Sequence, residues 1–201
     1  MLPPYLLLRD FLDEQTAAGL LDFALANEAN YAPTKTGRTG AAQVRPQVRL
    51  SVSLHDLGPF RRVLRDKVKA MVPDLSAKLG ATPPADPKFE IELVAHNDGA
   101  FYKRHIDTQT ASDRDYIRVL SAVYYFYVEP KAFSGGALRL YAIGDAEGTA
   151  FVDVIPEHNS LLVFPAWAPH EVMPVSCPSQ RFTDSRFAIN CWVHRARVQG
   201  S

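Results

Sequence analysis

The sequence predicts a mainly β protein with N-terminal helices, an antiparallel jelly roll with the helices packed outside its major sheet. Two observations predict it. Two amphipathic helical segments both precede Phe89, and from Phe89 onward about eight short apolar or alternating segments follow one another. Turn residues separate those segments, among them Asp98-Gly99, Ser134-Gly135-Gly136 and Pro156-Glu157-His158-Asn159.

Asp13 reads as the N-cap of the first helix, with Ala17, Leu20, Leu21, Ala24 and Leu25 forming an apolar stripe. The polar stretch Asn27–Pro46, with Pro33, Gly37 and Gly40, reads as a long loop; such length suggests function. Val48, Leu50, Val52 and Leu54 alternate with Arg49, Ser51 and Ser53 as one half-buried strand. Pro59 opens a second helix carrying Phe60, Val63, Leu64, Val68, Met71, Val72 and Leu75, which Pro73 is expected to bend or end. The strand candidates are then Phe89–His96, Tyr102–Asp107, Val119–Val128, Ala137–Ala142, Ala150–Ile155, Ser160–Phe164, His170–Val175 and Phe187–His194. No repeat, low-complexity stretch or linker interrupts the chain. The expectation is one domain over residues 1–201, with a helical support over about 1–80 and a jelly-roll core over about 89–195.

With 201 residues, 47% of them hydrophobic, the chain is long enough for one well-packed core. Its 22 basic and 22 acidic residues cancel, which removes any electrostatic case for nucleic acid or an anionic membrane. Cys177 and Cys191 are too few for a disulfide framework and read as free thiols. The N-terminus lacks a basic segment followed by an apolar core, and no apolar run approaches ~18 residues, so a cytoplasmic location is expected.

His105-Ile106-Asp107, with His170 far downstream in Trp167-Ala168-Pro169-His170, carries the chemistry. Side chains alternate across a strand, so His105 and Asp107 would leave one face and grip one ion, with His170 as the third ligand. Two histidines and one carboxylate suit Fe(II) and leave about three octahedral positions open. No G-x-S-x-G elbow, P-loop or G-x-G-x-x-G fingerprint competes with this reading.

The flanking words resemble the 2-oxoglutarate/Fe(II) dioxygenases, in particular their prolyl 4-hydroxylase-like branch. They are Asn97-Asp98-Gly99-Ala100-Phe101-Tyr102-Lys103-Arg104-His105-Ile106-Asp107, Ser121-Ala122-Val123-Tyr124-Tyr125-Phe126-Tyr127, Gly135-Gly136-Ala137-Leu138-Arg139-Leu140, Phe164-Pro165 through His170-Glu171-Val172, and Arg186-Phe187-Ala188-Ile189-Asn190-Cys191-Trp192. The resemblance implies a double-stranded β-helix of the jelly-roll, cupin-like kind. It also implies Fe(II), 2-oxoglutarate and O2 as co-substrates, and ascorbate as a candidate reductant. The implied reaction is hydroxylation of an unactivated C–H in a prolyl or other amino-acid residue of a peptide or protein, or in a free amino acid.

By the same resemblance His105, Asp107 and His170 are the metal ligands, and Arg186 anchors the distal carboxylate of 2-oxoglutarate. The family's anchor lies nearer its last ligand, so Ser176–Asp184 reads as an inserted hairpin loop and Arg181 as a rival anchor. Arg186 is preferred because Phe187-Ala188-Ile189 follows it directly and Trp192 keeps the family's spacing. Tyr125 aligns with a tyrosine that binds the same carboxylate, and Leu138 with a residue packed on the co-substrate chain. His96 stands where much of the family has tyrosine. Tyr102 faces the substrate side, and Trp192 packs beside Arg186 or the metal. The segments Asn27–Pro46 and Thr108–Tyr116 are candidate lids. Two rivals stay open: a non-catalytic jelly-roll module that binds metal, ligand or partner, and a cupin oxygenase that works without 2-oxoglutarate.

Overall fold

A computed structural model describes residues 1–37, 42–108 and 115–197. In chain order the elements are β1 (Leu6–Leu8), α1 (Glu14–Ala26), β2 (Ala32–Pro33), β3 (Arg49–Leu50), β4 (Val52–Leu54), α2 (Phe60–Lys78), β5 (Lys88–His96), β6 (Phe101–His105), β7 (Tyr116–Phe126), β8 (Ser134–Gly135), β9 (Leu138–Tyr141), β10 (Phe151–Val154), β11 (Ser160–Pro165), β12 (His170–Val172), β13 (Val175–Ser176) and β14 (Arg186–Ala196). The major sheet has the order β1-β11-β7-β14-β5-β4-β2, the minor sheet β10-β9-β12-β6-β3, and β13 pairs with β8 apart from both. All pairings are antiparallel, as a jelly roll requires.

Alternation along the long strands decides what lies where. Phe187, Ile189, Cys191 and Val193 of β14 join Ile91 and Leu93 of β5 and Tyr124 and Phe126 of β7 in one apolar cluster. Against it pack Leu20 and Ala24 of α1 and Leu64, Val68, Val72 and Leu75 of α2. The helices therefore cover the outer face of the major sheet. The intervening residues point between the sheets, where Val123, Tyr125, Leu138, Leu140, Leu162, Phe164 and Ala188 form a second cluster. The functional cavity opens beside this inner layer.

Asp13 does cap α1, its carboxylate accepting from Thr16 N at 2.9 Å. Elsewhere the structure departs from the sequence expectations in instructive ways. The stretch Asn27–Pro46 is partly regular: Ala32–Pro33 pairs with β4, and Thr36 and Gln43 exchange backbone hydrogen bonds of 2.8 and 3.0 Å. Pro33 is tolerated because β2 is an edge strand. Residues 38–41 of that stretch, and 109–114 of the second expected lid, lie outside the described residues.

The single strand expected over Val48–Leu54 is two strands in different sheets, since β3 pairs with β6 and β4 with β5. Crossing between sheets at Ser51 inverts the expected faces: Arg49 is buried at 7% exposure and Leu50 is 43% exposed. His170–Val175 likewise splits into β12 and β13 around Pro174, which has no N–H for a ladder. Cys177 and Cys191 are free and buried. No helix among the described residues is long and apolar enough to cross a membrane.

Pro73 neither ends nor replaces α2, which continues to Lys78 because Val72 and Leu75 are held in the core on both sides of it. The proline still deprives the helix of one backbone bond. Pro73→Ala, at an exposed position, is therefore expected to stabilise the protein by about 1–2 kcal/mol, part of the proline penalty being offset by the looser unfolded chain. Urea denaturation monitored by far-UV circular dichroism checks this, and an unchanged midpoint would show the local backbone has already adapted.

Candidate active site

His105 closes β6 and His170 opens β12, and the two are direct partners in the antiparallel register. Their ring centroids lie 4.1 Å apart. Each ring is held in the same way: Nδ1 of His105 donates to Lys103 O at 2.8 Å, and Nδ1 of His170 to Ala168 O at 2.9 Å. A carbonyl only accepts, so Nδ1 carries a proton in each ring, and Nε2 is the atom left to ligate in the neutral imidazole.

Asp107 lies beyond the end of β6, contrary to the strand expected over Tyr102–Asp107. It is placed instead by a turn, in which Asp107 N and Thr108 N both donate to Ala166 O at 2.9 and 3.0 Å. Its Oδ1 is 3.8 Å from His105 Nε2 and its Oδ2 is 3.6 Å from His170 Nε2. One potential ligand atom from each of the three residues fits within 4.8 Å of the others. Two imidazole lone pairs and a carboxylate converging at this spacing suit Fe(II).

Two neighbours hold Asp107. Ser121 Oγ donates to Oδ2 at 2.6 Å, and Arg118 Nη1 lies 3.6 Å from Oδ1. Burial alone would raise the Asp107 pKa, but His170, His105, Arg118 and Ser121 outweigh it and keep the carboxyl below its ordinary value. Burial, and then the adjacent His170, pushes His105 down to about 3, so its imidazole stays neutral and able to ligate at neutral pH.

One pocket between the sheets is lined both by this cluster and by the deeply buried Arg186. Arg186 is 1% exposed, and no carboxylate pairs with it among the described residues. Its Nη1 donates to Nδ1 of His96 at 3.0 Å, and its guanidinium carbon lies 4.7 Å over the Tyr125 ring. Among the described residues, Arg186 Nε and Tyr125 Oη lack a hydrogen-bond partner of good geometry. Since guanidinium cannot accept, His96 accepts at Nδ1 and carries its proton on Nε2. Burial first, and then the charges of Arg186 and Arg49, holds the His96 pKa well below its ordinary value and so keeps the ring neutral. A desolvated cation without a counter-charge is costly unless an anion arrives to meet it.

His96, Tyr102, Leu138 and Trp192 line the cavity as well. Tyr102 stacks on His105 with centroids 3.6 Å apart. Trp192 carries Arg118 3.9 Å above its ring, so it stands on the Asp107 side rather than beside Arg186. Tyr125 is fully buried, with the Arg186 guanidinium 4.7 Å from its ring. Arg181, the rival anchor, is turned away: its side chain is 71% exposed and pairs with Asp184 at 2.8 Å.

Sequence reasoning missed Arg49, Arg118 and Ser121. Arg49 sits over the Tyr102 ring and pairs with Glu92 at 3.1 Å, inside the cavity wall. Strand alternation put it on the solvent face because the crossing at Ser51 was invisible. Arg118 was hidden by a bulge, since β14 faces Leu120 at Val193 and Arg118 at the next residue. Ser121 had a readable signal, sharing strand parity with the inward Val123 and Tyr125.

The family described as the 2OG-Fe(II) oxygenase superfamily matches residues 91–194, the region that carries every one of these cavity groups except Arg49. An uncharacterized PKHD-type hydroxylase from Synechocystis is 34% identical over 193 residues, covering 94% of this chain. The chain spans 62% of that relative's length. Among solved structures, a Pseudomonas putida prolyl-4-hydroxylase is similar with TM-score 0.65 and 25% identity, over 96% of this chain and 93% of that one. A prolyl hydroxylase from Trichoplax adhaerens, solved with a hypoxia inducible factor oxygen degradation domain peptide, has the same fold at TM-score 0.70 and 21% identity, over 94% and 82% of the two chains.

Proposed function

Because the chain belongs to the 2OG-Fe(II) oxygenase superfamily, we propose that it hydroxylates an unactivated C–H of a prolyl or other amino-acid residue, in a polypeptide or as the free amino acid. The observation that carries this reading is that a His105–Asp107–His170 cluster and a buried Arg186 without a carboxylate partner among the described residues line one cavity. The cluster suits a metal and the guanidinium a carboxylate, which is what a metal-chelating dicarboxylate co-substrate requires. Neither a non-catalytic jelly roll nor a cupin that dispenses with 2-oxoglutarate has a use for that guanidinium.

His105, Asp107 and His170 would hold Fe(II). When bound, the metal supplies the oxidative chemistry that couples 2-oxoglutarate decarboxylation to insertion of one oxygen atom of O2 into the C–H bond. The protein's part is to bind, orient and shield. Arg186 offers its planar fork to the distal carboxylate, and His96 fixes the plane of that fork. Leu138 gives the co-substrate methylenes an apolar wall. Ser121 and Arg118 keep Asp107 ionised and aimed. Tyr102, Trp192 and Arg49 line the cavity and Arg118 lies over the Trp192 ring, so aromatic faces and guanidinium donors stand together, a lining that suits an apolar pyrrolidine ring flanked by carbonyl acceptors. The relatives named as prolyl hydroxylases support the prolyl choice within this class.

The test is succinate formation from 2-oxoglutarate, with and without Fe(II), in the presence of a panel of proline-containing peptides and free amino acids. A substrate-stimulated, Fe(II)-dependent release of succinate with hydroxylated product is expected. Absence of any Fe(II)-dependent succinate would overturn the reading.

A further inference from the structure

Arg186 does not find its place unaided. Its stem runs beneath the β8–β13 pair, where Gly136 N donates to Pro174 O at 3.0 Å and Val175 closes the other side. A Cβ added to Gly136 would stand 2.8 Å from Arg186 Cδ, 3.2 Å from Arg186 Nε and 2.9 Å from Val175 Cγ2. Real Cβ atoms essentially never show contacts as short as 2.8 or 2.9 Å, and the atom met first belongs to the middle of the side chain rather than its free end. Val175 cannot easily yield. Its N donates to Ala100 O and its O accepts from Gly99 N, both at 2.9 Å, which ties it to the turn feeding the metal-side strand β6.

We propose that Gly136 is a positioning residue for the co-substrate anchor: the volume its missing side chain leaves open is the channel that aims the Arg186 guanidinium into the cavity. The inference rests on the reading of Arg186 as the carboxylate anchor. Gly136 also has φ +68°, a conformation that any L side chain strains, so the two roles must be separated. Gly80 and Gly144 provide the control. Their φ values are +67° and +77°, yet nothing lies within 4 Å of a Cβ at either. Alanine there carries the same backbone penalty with no collision.

The experiment is calorimetric titration of 2-oxoglutarate into Mn(II)-loaded protein, with Mn(II) affinity and melting temperature measured alongside. Gly136→Ala is expected to weaken 2-oxoglutarate binding at least tenfold while Mn(II) affinity stays within about twofold, with Gly80→Ala and Gly144→Ala leaving both unchanged. In uncoupled turnover the loss should appear in KM for 2-oxoglutarate more than in kcat. Adding Val175→Ala, which vacates the 2.9 Å contact, should recover part of the affinity, because coupled neighbours are non-additive. If Gly136→Ala behaves like the two control glycines, backbone conformation is its whole role and the proposal is overturned. Should Gly136→Ala fail to fold, the double variant carries the same measurement, and failure of both to fold assigns Gly136 to folding instead. Intact 2-oxoglutarate binding in Arg186→Ala would sink the anchor reading itself, a result distinguishable from the others.

Discussion

Asp107→Ala is expected to abolish stoichiometric Fe(II) binding and, with it, all turnover. The variant keeps both imidazoles but loses the one carboxylate of the cluster, and with it the charge that a divalent ion needs. Loss of a group that merely orients a ligand costs about 10- to 100-fold in metal affinity, so loss of the ligand itself should cost more. Ser121→Ala supplies the graded comparison: removing the 2.6 Å hydrogen bond to Asp107 should weaken Fe(II) binding by roughly that 10- to 100-fold without eliminating it. His105→Ala should match Asp107→Ala. The fold should survive all three, because none of these side chains belongs to the apolar clusters. Metal content after desalting, together with thermal denaturation, checks the prediction; full metal occupancy in Asp107→Ala would remove the cluster from the mechanism.

Arg186→Ala should leave Fe(II) content near normal and weaken 2-oxoglutarate binding severely. Truncating one partner of a buried charge pair costs about 2–5 kcal/mol, or roughly 30- to 5,000-fold in affinity. Arg49, the other guanidinium of the lining, is already paired with Glu92 at 3.1 Å and is a poor substitute. Arg181→Ala should change binding less than twofold, as its side chain is exposed and occupied by Asp184. Direct titration of 2-oxoglutarate into both variants decides the matter, and the reverse pattern would transfer the anchor role to Arg181.

What could be read from the sequence, and what could not, divides along a physical line. The period-two alternation of Phe187–Val193 and the helical spacing in Leu64–Leu75 are local properties, and they placed the layers. The proximity of His105 and Asp107 was expected from alternation on one strand, but β6 ends at His105 and a turn bonded to Ala166 delivers the carboxylate instead. The expectation met the right neighbours for a partly wrong reason. Arg49 and Arg118 escaped notice because a sheet crossing and a bulge reverse which face a residue occupies, and neither leaves a local trace. The distance from His170 to Arg186 along the chain was a poor guide for a related reason. The intervening segment is stitched to itself by Ser179, Arg181 and Asp184 and to Asp98 through Cys177 N, so its length does not alter where β14 lands.

The place of β14 in the major sheet bears on how the molecule comes to exist. It follows every other strand of the described residues, yet it lies mid-sheet, bonded to β5 on one side and β7 on the other. Before it emerges from a ribosome, β5 and β7 have no neighbour to join them, and the two halves of the sheet are held only by their own partners. Assembly must wait for contacts of long sequence separation, which are slow to form and leave apolar strand edges open meanwhile. A nascent chain stopped before Ser185 is therefore expected to be protease-sensitive and dependent on chaperones, and release of the remaining residues to produce protection in a single step rather than gradually.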